Sequence, residues 1–424
     1  MNLTTEWAVV GSGAAGGTIA RELARRGKKV VVLEKGKDID WPIGHSLAYL
    51  KLYDILRTKE GVIIRRGITT GGSTVIYSGN SYDPPDWFRD EYGIDITKEV
   101  EETKLEIGVK PLPEGFYSKW EGMKRIVEAS GEIGINMLPQ DKFIDPKRCR
   151  PECDSCIFGC KTGGKWTSRT YLKESMDNGA VVVESADVKK IIIKNGKAVG
   201  VEARKGRENI TVNADRVVLC AGGVGTPLIL QSSGIEEAGE GFFTDPMSIL
   251  MGVSKGVGTF HEMTYSYATP DFMGEFIIGT AGYTNALFAQ IARLNFASIF
   301  RAPYFKHQVG MFVKLCDSPV GTIKLGHKIS KPLTDEDNRR MERGIGLAKD
   351  IMVKSGVKPD TIQVARYIGG HPGGTAGIGR IVDRELKTEV DGLYVCDASV
   401  LPRSAGIPLV LTLVALAKNF ARKF

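Results

Sequence analysis

Histidine is the scarcest ionisable residue of this 424-residue chain, with five copies, and cysteine follows with seven. No window approaches the roughly 18 consecutive apolar residues of a membrane-spanning helix, which excludes an integral membrane protein of the helical kind. The start, MNLTTEWAVVGSG, lacks a basic stretch followed by an apolar one, so no secretion signal is expected. A cytoplasmic location with reduced thiols is the expectation. Lys and Arg outnumber Asp and Glu by 57 to 50, a net charge of +7, but the basic residues are scattered. With no basic cluster and no recognition motif, nucleic acid is not an expected partner; an acidic protein or membrane surface suits the charge better. There is no internal repeat and no low-complexity linker. The length calls for two lobes, and the motifs below require them to interleave.

Glycine is abundant, 51 of 424, and gathered in a few loops. The first loop is VVGSGAAGGTIARELARRG, in which Gly11, Gly13 and Gly16 form G-x-G-x-x-G after an apolar run at 6–10. The spacing predicts a strand, a tight turn at Gly11, close approach of a pyrophosphate at Gly13 and helix–strand packing at Gly16. The helix is expected over 14–26, ending at Gly27. Its first-turn amides, from Ala14 and Ala15, would face phosphates. A second strand, KKVVVLEKG, ends in Glu34, 18 residues past Gly16, near the spacing of an acid that takes a ribose hydroxyl.

Later segments favour FAD over NAD. RRGITTGGSTVIYSGN (65–80) is a second Gly-rich loop, containing Gly67, Gly71 and Gly72. VVLCAGGVGTP (217–227) and DGLYVCDASVLP (391–402) are each an apolar strand running into a loop, and Asp397 stands at a strand end, where open α/β sheets bind ligands. GGHPGGTAGIG (369–379) carries His371 on a bare Gly/Pro frame that is poorly suited to core packing. An imidazole titrating near neutrality suits removal of a hydroxyl proton.

Taken in this order and at these distances, the N-terminal fingerprint, GGST, AGGVGTP, HPGGT and DGLYVCDASVLP resemble the glucose–methanol–choline (GMC) family of FAD-dependent oxidoreductases over nearly the whole length. The resemblance implies an α/β fold: a Rossmann-like FAD-binding lobe interleaved with an α+β substrate lobe built on an antiparallel sheet. The FAD lobe would draw on 1–100, 165–240 and 375–424, the substrate cap on 241–374, and 101–164 would connect them. It also implies that Glu34 holds the adenosine ribose, that Gly71, Gly72, Ser73 and Thr74 wrap pyrophosphate and isoalloxazine, and that Val188 meets adenine through its backbone. Asp397 and Ala398 would face phosphates or ribitol, with Lys35, Ala221, Gly222 and Pro408 completing the cofactor set. His371 matches the family's active-site histidine. The implied reaction is oxidation of an alcohol CH–OH with hydride to FAD. Two other readings stay open: a carbonyl or double-bond reductase fed by a ferredoxin-like donor, and a flavin electron-transfer or redox-sensing subunit.

Two departures stand out. The family's second catalytic His or Asn would fall near Pro408 or Leu409, neither of which offers a side-chain hydrogen bond. FFTDPMS (242–248) has Pro246 where many relatives have His after Asp. A third feature is CRPECDSCIFGCKTGGK, with Cys149, Cys153, Cys156 and Cys160 spaced C-x3-C-x2-C-x3-C. Three readings compete: ligands of a [4Fe–4S] cluster passing electrons to a ferredoxin-like carrier, zinc ligands, and structural thiols or disulfides. Cys220, Cys316 and Cys396 end or follow apolar strands and read as core. Residues 181–220 predict a β-meander with a hairpin at Asn195-Gly196, and 334–353 an amphipathic helix capped by Thr334. The aromatic-rich run across 245–330 suggests a sheet over an apolar substrate pocket, mostly as lobe core, and His261, His307 and His327 are expected to be structural or on the surface.

Overall fold

A computed structural model describes residues 1–40, 42–45, 47–153, 155–256, 258–282 and 306–424. Two large sheets organise the chain. The first has the strand order Val181–Val183, Val30–Leu33, Asn2–Val10, Glu208–Leu219, Lys197–Lys205, Asp187–Lys194, with Leu393–Val395 also pairing with Glu208–Leu219. Its pairings are parallel from Val181–Val183 through Glu208–Leu219 and to Leu393–Val395, and antiparallel in the meander. Trp7 to Val10 and Val30 to Leu33 are buried throughout, as strands covered on both faces must be. The opening strand reaches back to Asn2, further than its apolar residues predict, because Asn2 to Thr5 pair with Thr211 to Ala214 on the long meander strand. The helix Ala14–Ala24 ends two residues earlier than predicted, and the chain turns through Gly27 in the left-handed region. The hairpin at Asn195-Gly196 forms as expected, with positive φ at both residues.

The second sheet runs Tyr53–Arg57, Ile63–Gly67, Ile368–Gly369, Pro246–Val253, Gln308–Leu315, Phe276–Ala281, Tyr267–Ala268, Leu138–Pro139. It is antiparallel except where Ile368–Gly369 runs parallel to Ile63–Gly67. Residues 53–67, grouped with the FAD lobe in the sequence reading, thus belong to this sheet, and residues 138–139 of the connecting segment edge it. Residues 283–305, the middle of the aromatic-rich run, lie outside the described residues. Met341, Ala348, Ile351 and Met352 of the helix Asp335–Lys354 pack on Leu250, Phe276, Met311 and Val313, and so close the sheet's far face.

That helix carries the predicted cap in full: Thr334 Oγ1 accepts from the Asp337 N–H at 3.1 Å, and Asp337 Oδ2 accepts from the Thr334 N–H at 3.0 Å. Thr334→Ala is expected to lower stability by about 1 kcal/mol, read as a shift of the urea midpoint at unchanged slope, whereas Thr334→Ser leaves the midpoint in place.

Candidate active site

A cavity of about 580 Å³ lies between the two sheets and is continuous from Gly11 and Glu34 at one end to His371 and Lys314 at the other. Every proposed cofactor residue except Gly16 and Gly71 lines it. Those two act from just behind. A Cβ on Gly16 would overlap the Gly11 carbonyl, and a Cβ on Gly11, itself at φ +101°, would overlap the Cys220 carbonyl. The three chain segments therefore touch backbone to backbone, which only glycine allows.

The nucleotide end is preorganised by Ser12, which the motif leaves unmarked because its position is an "x". Its Oγ donates to Glu34 Oε2 at 2.6 Å and accepts from the Gly71 N–H at 2.9 Å, locking the two Gly-rich loops together. Glu34 also accepts from the N–H groups of Ser12 (3.0 Å) and Gly36 (2.7 Å). Burial pushes its carboxyl up, and these hydrogen bonds oppose the rise. A carboxylate has about four acceptor directions, so one remains for a ribose hydroxyl. Gly13 caps the helix Ala14–Ala24 with no side chain, and a Cβ there would meet nothing within 4 Å, so the first-turn amides open onto the cavity. Gly72, at φ +56°, approaches so closely that its Cβ would stand 2.9 Å from Gly13 Cα. Ser168 Oγ donates to the carbonyls of Ser12 and Gly13 at 2.9 Å and fastens the turn from behind.

Val188 and Lys35 line the same end, with Lys35 paired to Asp187 at 3.5 Å. Asp397 is buried and accepts from the N–H of Gly222 (2.8 Å), Thr226 Oγ1 (2.6 Å) and the Ser399 N–H (2.7 Å). Its carboxylate organises the Ala221-Gly222 turn and the start of the helix Gly222–Ser232. Pro408 lies just before the helix Val410–Ala421, whose N-terminus has no side-chain cap and faces the cavity.

At the far end the cavity floor is apolar, with Met247, Ile277 and Phe312, but it holds a group of charges. Asp245, fully buried and at φ +44°, accepts through Oδ2 from Lys314 Nζ at 2.5 Å and lies 3.1 Å from His371 Nδ1; Ser404 Oγ donates to its Oδ1. Behind it, Asp317 accepts from the Thr244 and Asp245 N–H groups at 3.1 and 2.9 Å and pairs with Lys331 at 3.0 Å, both side chains buried. Burial pushes the Asp245 carboxyl up, but Lys314 and His371 outweigh it and hold it below the usual carboxylate range. His371 is pushed down by loss of water and by the Lys314 charge, against the pull of Asp245. With Nδ1 occupied by the carboxylate, Nε2 is the nitrogen left for the cavity. Sequence reading found His371 but not Asp245, Lys314 or Ser404, which lie 126, 57 and 33 positions away and form no motif with it. His327 is exposed, as expected, and borders the cavity beside Leu325 and Gly326.

The four cysteines share one loop, two of them buried, yet among the described residues no three His, Cys, Asp or Glu side chains gather as a metal site. All seven thiols are free of disulfides. What the loop does have is a brace. The buried Lys165 Nζ donates to the carbonyls of Val75, Tyr77 and Cys156 at 2.9, 2.6 and 2.7 Å, tying the cysteines to the GGST loop. Cys220 and Cys396 are buried strand-end residues, as read.

The GMC oxidoreductase family descriptions match the chain at residues 8–247 (N-terminal region) and 317–417 (C-terminal region). The chain belongs to this family and is an FAD-dependent oxidoreductase. It is 29% identical to an uncharacterized protein of Methanocaldococcus jannaschii over 99% of both chains. It is 25% identical to a long-chain-alcohol oxidase of Arabidopsis thaliana, over 96% of this chain and 65% of that one. Pyridoxine 4-oxidase from Mesorbium loti shares its fold at 16% identity, with a TM-score of 0.76 and 99% of each chain covered. Among the described residues no helix is long and apolar enough to cross a membrane.

Because a side chain at Gly13 enters open space, Gly13→Glu is expected to leave the far-UV circular dichroism of the wild type intact while abolishing the flavin absorbance of the purified protein.

Proposed function

We propose that the protein oxidises the CH–OH group of an alcohol bearing an apolar substituent, with His371 taking the hydroxyl proton. The observation that carries this is the His371–Asp245 pair: a half-buried imidazole, oriented through Nδ1 by a buried carboxylate, with Nε2 left for an apolar cavity that is continuous with the dinucleotide cradle. Gly11, Gly13, Ala14, Ala15, Gly16, Glu34 and Lys35 would hold the adenylate half of FAD. Residues 71–74 would hold the flavin half, with Val188, Ala221, Gly222, Asp397, Ala398 and Pro408 closing the site. FAD when bound supplies a two-electron hydride acceptor. The protein's part is to exclude water, position the carbinol carbon and remove the proton. A base of lowered pKa remains unprotonated at neutral pH and so stays competent. Met247, Ile277 and Phe312 favour an alkyl or aryl chain over a sugar, in keeping with the plant relative named a long-chain-alcohol oxidase.

Electrons leave, in this proposal, to an external one-electron carrier of acidic surface, supported by the net charge of +7. No step is routed through the cysteine loop. Peroxide released in step with alcohol consumption in air replaces this acceptor with oxygen.

Stopped-flow flavin bleaching by a series of primary alcohols tests the reaction. His371→Gln is expected to retain bound flavin and slow bleaching by about 10²–10⁴-fold. In the wild type the rate should fall as pH drops through a value below the ordinary 6.5 of histidine, since protonated His371 cannot accept the proton. Bleaching by no alcohol, or a His371→Gln protein as fast as wild type, overturns the reading.

A further inference from the structure

Alcohol oxidation makes a demand that one imidazole cannot meet. As the O–H bond breaks, negative charge builds on the substrate oxygen, and a donor is needed there at the same moment. Pro408 and Leu409, which lie at the cavity wall, have no side-chain donor.

The cavity floor contains a donor that the structure otherwise underuses. The strand Gln308–Leu315 alternates: Met311, Val313 and Leu315 pack in the core cluster beneath the helix Asp335–Lys354, while Phe312 and Lys314 face the cavity. Lys314 is paired across the sheet with Met247 on one side and Ile277 on the other, both cavity residues and both apolar. An ammonium in that setting is costly unless its three N–H groups find acceptors. Among the described residues Lys314 Nζ has one, Asp245 Oδ2 at 2.5 Å, which leaves two N–H groups for other acceptors. The same Oδ2 stands 3.1 Å from His371 Nδ1, so ammonium and imidazole are neighbours on a single carboxylate oxygen.

We propose that Lys314 is the second substrate-contacting residue, its ammonium donating a hydrogen bond to the alcohol oxygen. The proposal rests on the alcohol-oxidising reading above. The O–H proton passes to His371 Nε2, the carbinol carbon gives up a hydride to the flavin, and the C=O bond forms. Lys314 keeps all three of its protons and neutralises charge on the oxygen while the transfer proceeds. It acts on His371 too, because its charge disfavours the imidazolium. The other groups facing this pair are Asp245, Cys316, Asp317 with Lys331 behind it, and Ser404.

The test measures flavin reduction by the best alcohol, per bound flavin, in wild type, Lys314→Met and Lys314→Ala. Reduction by Lys314→Met is expected to be about 10²-fold slower or more, with a much smaller change in the alcohol concentration for half-maximal rate. The acid limb of the rate should move to higher pH, since the charge that held His371 down is gone. Ethylammonium should restore part of the rate to Lys314→Ala and none to His371→Gln. A lysine that served only as counterion to Asp245 would change flavin content and melting temperature and would move the pH limb through its charge, but it would leave the rate per bound flavin above that limb near the wild-type value and give no amine response. Lys314→Gln, which can still bond Asp245, replaces Lys314→Met if the latter does not bind flavin, with the same slowing expected in smaller measure. A wild-type rate per bound flavin in either variant overturns this proposal alone. A wild type that no alcohol reduces overturns the proposed function, and this inference with it.

Discussion

Burial of the Asp245 carboxylate constrains the active end of the cavity. A lone buried carboxylate is costly, and removing one partner of a buried pair costs about 3–5 kcal/mol. Here three segments are recruited to meet that demand: Lys314 from the middle of a sheet strand, His371 from a Gly/Pro loop and Ser404 from the approach to the last helix. Asp317 holds the backbone of Asp245 in its left-handed conformation by accepting from two successive N–H groups. The charge thus acts as a node. It orients the imidazole, gives the ammonium a fixed position, and draws the cap sheet and the C-terminal segment onto one point.

The opposite end of the cavity works by omission rather than by charge. Gly11, Gly16 and Gly72 stand where any side chain would collide with backbone, and Gly13 stands where a side chain would enter open space at the start of the helix Ala14–Ala24. Ser12 and Glu34 then convert two loops that merely touch into one rigid edge. One end discriminates by shape and amide donors, the other by the placement of a few polar groups in apolar surroundings.

How far the sequence could be read follows from this difference. Elements set by local rules were legible: the fingerprint turn, the Asn195-Gly196 hairpin, the Thr334 cap and the strand-end cysteines each depend on residues within a few positions. His371 was legible because its Gly/Pro frame is local and unusual. Asp245, Lys314 and Ser404 were not, because nothing near any of them in sequence records the others; FFTDPMS drew notice for the absence of a histidine while the aspartate beside it passed unmarked. Residues 53–67 were assigned to the other lobe because their strand partner, Ile368–Gly369, lies some 300 positions away. The cysteine spacing suggested a shared ligand, but spacing alone does not determine whether thiols converge. Here the loop's geometry is governed by Lys165 and its three carbonyl acceptors.

The nucleotide sheet is not finished where it begins. Its opening strand, Asn2–Val10, lies against Glu208–Leu219, which in turn pairs with Leu393–Val395, and the helix Val410–Ala421 adds the last wall. A nascent chain emerging from the ribosome N-terminus first therefore displays the dinucleotide fingerprint long before it can enclose anything. The cavity wall is complete only once Leu393–Val395 and the helix Val410–Ala421 are in place. A ribosome that stalls before Leu393 leaves a polypeptide with its glycine signature intact but without a strand of the sheet and without one wall of the cavity.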